Sequence, residues 1–309
     1  MSGILGKAVI VGVGLIGGSF ALGLKQRGLV QQLVGYGRCP ERLDKALACG
    51  LVDTVTTDMQ TALADAELVM ISVPMDAYAP LLRQMQPYLS KNTVVTDAGS
   101  VKGSVLAVVE RIYGAGGLPN FVPGHPIAGR EQSGPEAALA DLFDQKKVIL
   151  TPTKHTTADA LEQVILLWQA LGARVSEMPA DYHDEVLAAT SHLPHFLAYA
   201  LVDMLNEHEE LGNVFQYTAG GFRDFTRIAS SDPTMWRDIA KHNQRAVRKW
   251  LVHFRSEMDH LIDQLDQENW SGLYAQFSSA KAARDQHLLS PETEDTASPN
   301  FNTAKLKKG

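Results

Sequence analysis

The sequence predicts an α/β protein, with a doubly wound parallel sheet in the first half of the chain and an all-helical second half. Three observations carry this reading. Short apolar, β-branched runs alternate with helix-compatible stretches as far as Leu150. A glycine cluster, Gly12-x-Gly14-x-x-Gly17, separates the first such run from the first helical stretch. After Pro179 the strand-like runs disappear and long amphipathic patterns replace them. At 309 residues the chain has room for two domains, placed at 1–179 and 180–288. Residues 289–309 are polar with no apolar period and are expected to be a disordered tail.

The first strand runs from Lys7 to Val13, and helix-compatible composition follows from Ser19 to Gln26. No residue between Lys7 and Lys25 is charged, a length that approaches a membrane span, but five glycines punctuate it and no basic segment precedes it. Further strands are expected at Leu33–Tyr36, Leu68–Val73, Thr93–Thr96, Phe121–Val122 and Val148–Leu150 of the same sheet. Strand, glycine turn and helix in this order predict a Rossmann-type dinucleotide site, the alternative being a glycine-rich turn with no ligand. The first glycine permits the tight turn, the second leaves room for a pyrophosphate, and the third lets helix pack on strand. Gly12, Gly14, Leu15, Ile16 and Gly17 are therefore expected to face the cofactor. At the end of the second strand stand Gly37 and Arg38. With no carboxylate there to repel a 2′-phosphate and a guanidinium to pair with one, NADP is favoured, and Glu41 leaves NAD open.

Lys+Arg 28 against Asp+Glu 35 gives a net charge of −7, which excludes the basic field that a nucleic-acid partner requires. Cys39 and Cys49 form neither a disulfide framework nor a zinc pattern, so a cytoplasmic protein without a metal is expected.

In the second half, Ser231-Asp232-Pro233 has the form of a helix start. From there Trp236, Ile239, Asn243, Ala246, Trp250, Phe254, Met258, Leu261 and Leu265 recur at steps of three and four, predicting one helix of more than 30 residues. Such length favours helix pairing in a homodimer. Asp184, Ala188, His192, His195 and Tyr199 share a helical face, with a kink expected at Pro194. Arg223 and Arg227, four apart, have the form of a carboxylate clamp, the alternative being an exposed face paired to Asp224.

Ligands of open α/β sheets bind beyond the carboxyl ends of strands, which directs attention to Val73 and Pro74, to Asp97 and Ser100, and to His125. A histidine titrating near neutrality can take a proton from a hydroxyl as hydride leaves the same carbon.

In chain order, GVGLIGGS from Gly12, DAGSVK from Asp97, GHPIAG from Gly124, SHLPH from Ser191 and GGFRDFTRIASSDPTMW from Gly220 resemble the prephenate/arogenate (cyclohexadienyl) dehydrogenase family of tyrosine biosynthesis, over nearly the whole chain. The resemblance implies a nucleotide-binding domain followed by an all-helical dimerisation domain. It implies oxidative decarboxylation of prephenate to 4-hydroxyphenylpyruvate, or of arogenate to tyrosine, with hydride transfer to NAD(P). His125 would accept the proton of the ring hydroxyl, and Ser100 would orient that hydroxyl with the nicotinamide. Arg227 would hold a substrate carboxylate with His195 and Arg223 in support, Trp236 would close the site, and Asp184 and His192 would position these groups. Two positions depart from commoner members: Gly37 replaces an aspartate of NAD users, and Arg130 with Glu131 follows GHPIAG, beside the expected substrate pocket. The rival readings are another two-domain dehydrogenase of β-hydroxyacid or pyrroline-carboxylate type, and a non-catalytic NADP(H)-binding redox sensor.

Overall fold

A computed structural model describes residues 4–289 apart from 131, 209 and 211. The elements in chain order are Leu5–Val11 (β1), Leu15–Gln26 (α1), Val30–Tyr36 (β2), Pro40–Ala48 (α2), Thr54–Thr56 (β3), Met59–Leu63 (α3), Leu68–Ile71 (β4), Tyr78–Met85 (α4), Val94–Asp97 (β5), Lys102–Tyr113 (α5), Phe121–Val122 (β6), Gly124–Pro126 (β7), Lys147–Leu150 (β8), Ala158–Ala170 (α6) and Arg174–Glu177 (β9). Then follow Ala180–Leu187 (α7), Leu193–Glu207 (α8), Gly220–Thr226 (α9), Pro233–His242 (α10), Gln244–Asp266 (α11) and Trp270–Arg284 (α12). The expected tail lies outside the described residues from 290 onward.

Six parallel strands form one sheet in the order β3-β2-β1-β4-β5-β6. The chain winds outward from β1 to β3, then returns to β4 on the other side of β1, so a crevice opens at the carboxyl ends of β1 and β4. Side chains alternate across this sheet and both faces are covered, which is why its strands read as continuous apolar runs. Ala8 and Ile10 enter one core with Phe20, Leu24 and Trp168, and Val9 and Val11 enter the other with Tyr78, Leu82 and Met85.

Val148–Leu150 does not join this sheet. It lies in β8 of a second, three-stranded sheet, antiparallel to β7 and parallel to β9. Pro123 has no N–H with which to extend the β5–β6 ladder, and the chain leaves for the second sheet there.

The helix expected from Trp236 to Leu265 is two helices. Asn243 departs from helical geometry (φ −117°, ψ 30°) between α10 and α11. Its side-chain amide donates to Asp184 O at 2.8 Å, and His242 beside it bonds Ser104 Oγ and Asp76. These long-range bonds break a helix that the apolar period would have carried through. The start is as expected, with the Asp232 side chain accepting from Thr234 N and Met235 N, and Pro233 in the first turn.

Pro194 interrupts its helix through a π-turn, Ala188–His192, after which α8 begins with the proline in its first turn. The extra residue in the turn shifts the face shared by Asp184, Ala188, His192, His195 and Tyr199.

The described residues form two compact units, which divide between Arg248 and Lys249. Helices α7 to α10 belong to the first unit because Asp184 binds the start of α5, and Lys241 and His242 bind Asp76. The second unit contains most of α11 and all of α12, tied by Gln264 to Gln276 at 2.8 Å and by the Asn269 cap on Gly272 N. No helix among the described residues is long and apolar enough to cross a membrane.

Candidate active site

The turn from β1 to α1 is shaped for a dinucleotide. Gly12 sits at φ +89°, a left-handed conformation that side chains disfavour. A Cβ on Gly17 would strike Gly12 O and Ser72 Oγ, so this glycine sets the approach of helix to strand. At Gly14 nothing lies within 4 Å of a built Cβ. That open side leaves room for a pyrophosphate to approach the backbone. Gly14 caps α1 without a side-chain bond, and the first turn, with Leu15 and Ile16, holds no acidic residue, so the positive end of the helix is not neutralised. Val73, half-buried, and Pro74, exposed, follow β4 beside this turn. Ser72 Oγ ties the two segments by donating to Gly12 O at 2.6 Å. The residues present fit a nicotinamide dinucleotide. Arg38 is exposed past the end of β2, and the Glu41 carboxylate accepts from Cys39 Sγ at 2.9 Å.

Beyond the carboxyl ends of β5 and β6, His125 in β7 ends a hydrogen-bonded chain. Its Nδ1 lies 2.9 Å from His183 Nε2, and His183 Nδ1 lies 2.8 Å from Asp184 Oδ1. Asp184 also accepts Lys102 N on Oδ1 and Gly103 N on Oδ2, both at 2.8 Å, which fixes its carboxylate at the positive end of α5. The tautomers follow from this anchor. A carboxylate accepts, so His183 carries its proton on Nδ1 and presents a lone pair at Nε2. His125 then carries its proton on Nδ1, and its Nε2 is the basic atom. Burial, aided by His183, Lys102 and His192, pushes the His125 pKa well below 6.5. Burial also lowers that of His183 against the opposing pull of Asp184.

The other expected residues fall into groups. Ser100 is half-buried in the loop between β5 and α5. His192 is buried against Asn243 at 3.3 Å, with its pKa lowered by burial to about 4. His195 donates Nδ1–H to Ser191 O at 2.8 Å and stacks on Trp236 with centroids 3.7 Å apart. Trp236 is only 7% exposed, in edge contact with His192 as well. Arg227, just past α9, lies close enough for its charge to depress His195 further, after burial. Arg223 and Arg130 are exposed, and Glu131 lies outside the described residues. Asp97 is fully buried, and its carboxylate takes donors from Tyr78, Gly99, Lys102 and Gly124.

Three residues of this site escaped the sequence reading. His183 stands one place before Asp184, off the i, i+4 face that drew attention, and the pairing of a histidine with an acid was the available signal. Lys102 lay within the DAGSVK segment without an assigned role. Tyr78 carried no signal at all.

A backbone cradle at the switch point of a doubly wound sheet, with a neutral histidine at the carboxyl ends of neighbouring strands, defines a dinucleotide-dependent oxidoreductase. Comparison with known proteins makes the class specific. Residues 20–177 match the family model described as prephenate dehydrogenase, nucleotide-binding domain, and residues 179–279 match prephenate dehydrogenase, dimerization domain. The chain belongs to the prephenate dehydrogenase family. It is 38% identical to a cyclohexadienyl dehydrogenase of Zymomonas mobilis over 89% of this chain and 94% of that one. Among solved structures, prephenate dehydrogenase from Aquifex aeolicus in complex with hydroxyphenyl propionate and NAD+ superposes with a TM-score of 0.86 at 39% identity, covering 93% of this chain and 99% of that one. Synechocystis arogenate dehydrogenase gives 0.77 at 30%, covering 91% and 100%.

Proposed function

We propose that this protein carries out the oxidative decarboxylation of prephenate, arogenate or both, with His125 Nε2 as the proton acceptor. The observation that carries the reading is the hydrogen-bonded chain Asp184–His183–His125, whose carboxylate end assigns the lone pair to His125 Nε2 at the carboxyl ends of the sheet strands. Gly12, Gly14, Leu15, Ile16 and Gly17 would hold the nicotinamide dinucleotide, which when bound supplies the hydride acceptor. His125 Nε2 takes the proton of the ring C4 hydroxyl as the C4–H bond gives up its hydride. The ring carboxylate leaves as CO2, and its bonding electrons aromatise the ring. The product is a phenol, so its oxygen regains a proton and His125 returns to its neutral state. Ser100 orients the hydroxyl. Arg227, beside His195, holds a substrate carboxylate, with Arg223 in support, and a dianionic substrate suits a forked guanidinium better than an ammonium. Trp236 holds the His195 ring in place by stacking and closes that side of the site.

The cofactor reading favours NADP through Gly37 and the exposed Arg38. The NAD+ in the Aquifex structure belongs to that protein. The homodimer reading rests on the match to a dimerization domain and on apolar side chains that the second unit leaves uncovered. On α12, Trp270, Tyr274 and Phe277 are 60%, 76% and 60% exposed at steps of four and three.

The deciding experiment is a two-by-two rate comparison of prephenate and arogenate with NAD and NADP, following CO2 and reduced nicotinamide. Turnover of either acid with NADP preferred is expected. Cofactor binding without turnover of either acid would return the sensor reading. Gly37→Asp is expected to shift preference from NADP towards NAD by about tenfold or more, through loss of the 2′-phosphate pocket.

A further inference from the structure

Asp97 closes β5, and its buried carboxylate collects four donors. Oδ2 accepts Tyr78 Oη and Gly99 N, both at 2.8 Å, and Lys102 Nζ at 2.6 Å, while Oδ1 accepts Gly124 N at 3.0 Å. Lys102 Nζ also donates to Gly124 O at 2.6 Å. Gly124 is therefore held on both sides, its N–H by the anion and its C=O by the cation. The positions matter. Gly99 directly precedes Ser100, and Gly124 directly precedes His125, so one carboxylate grips the backbone immediately before each of the two residues assigned to the reacting hydroxyl.

Nothing in the strand ladders does this work. Ser100 follows β5 of the six-stranded sheet, whereas His125 lies in β7 of the three-stranded sheet, and no ladder joins these strands. Asp97 and Lys102 are both 0% exposed, and a fully buried ion pair is a poor source of stability, because the desolvation of two ions roughly offsets their attraction and apolar residues pack as well. Burial of the pair at the junction of two sheets, beside both residues, is explained by geometry. We propose that Asp97, Lys102 and Tyr78 are positioning residues that hold Ser100 and His125 in register across the two sheets. The proposal rests on the roles given above to Ser100 and His125.

The test compares wild type, Tyr78→Phe and the double variant Asp97→Asn/Lys102→Met, which removes both charges together and leaves no unpaired ion buried. Initial rates are divided by the number of sites counted in a reduced-cofactor fluorescence titration, and kcat is measured against pH. All three side chains are buried away from the open crevice surface, so KM for both substrates should stay within about threefold. Misplacement of the reacting groups should lower kcat per site by on the order of 10- to 100-fold in the double variant and about 3- to 10-fold in Tyr78→Phe. The acid limb of kcat should also move to higher pH in the double variant, because Lys102 is a cation facing His125, together with His183 and His192. A structural role alone would leave that limb in place. A kcat per site within about threefold of wild type in the double variant, with an unmoved acid limb, overturns the proposal. Should the double variant fail to fold, Tyr78→Phe decides by its kcat per site. A wild-type chain that turns over neither acid defeats the proposed reaction instead. The register is then read from the imidazole 15N signals of His125, expected to shift in Tyr78→Phe, and unshifted signals overturn it.

Discussion

The glycine turn after β1 and the histidine cluster around His125 both lie at the carboxyl ends of sheet strands but are built in opposite ways. The turn is local: Gly12, Gly14 and Gly17 lie within six residues, and their work is done by backbone and by the absence of side chains. The cluster is assembled from β5, β7, α5, α7 and α10, and its decisive contact joins residues 58 positions apart. A cofactor phosphate needs only N–H groups and space. A catalytic base needs a defined tautomer, and that takes a chain of partners ending on a fixed charge.

The largest expected effect falls on the cluster. His125→Asn removes the acceptor, and kcat should drop by about 10² to 10⁴ with little change in KM. Near-normal turnover in steady-state assays would exclude the base. His183→Phe tests whether the partner matters as well as the base. It leaves His125 in place but unties its Nδ1, so a loss of about 10- to 100-fold in kcat is expected, with folding checked by circular dichroism. If kcat is unchanged, the tautomer argument fails even though His125 stands.

Gly17→Ala probes the other region. The added methyl meets Gly12 O and Ser72 Oγ, so thermal denaturation should show a loss of about 1–3 kcal/mol, and cofactor KM should rise because the turn must move. Stability and cofactor KM both at wild-type levels would mean that the turn is more adaptable than its geometry.

A smaller effect separates the regions by pH. His125, His183 and His192 have folded pKa values below the ordinary 6.5, that of His192 about 4. Above pH 6.5 these groups are neutral in both states and cost nothing. As pH falls from 6.5 through about 4 the unfolded chain binds protons that the folded protein refuses, so stability declines across that window. Melting temperature followed from pH 7 to 4 should fall steadily, and less in a His192→Gln variant. The glycine turn carries no titratable group and should contribute nothing to the slope.

Legibility in the sequence followed the same division. Most strands of the main sheet were readable as apolar, β-branched runs, as in Leu68–Ile71. Thr54–Thr56 and Arg174–Glu177 were not, being short or carrying charges that face solvent. The α10 start was readable from Asp232 and Pro233, because a cap is a contact between near neighbours. The break at Asn243 was not, because the apolar period continues through it and only the bonds to Asp184 and His192 oppose that period. His125, Ser100, His195 and Trp236 came from motifs, but His183 and Lys102 did not.

Periodicity, glycine spacing and motif order were sufficient for the doubly wound sheet, the helical half, the dinucleotide turn and the family, since each depends on residues close in the chain. The assignment of Val148–Leu150 to a second sheet, the burial of the Asp97 carboxylate against Gly99 and Gly124, and the basic atom of His125 required the folded arrangement. Each of these turns on which distant donor meets which acceptor once water is excluded, and no local pattern encodes that pairing.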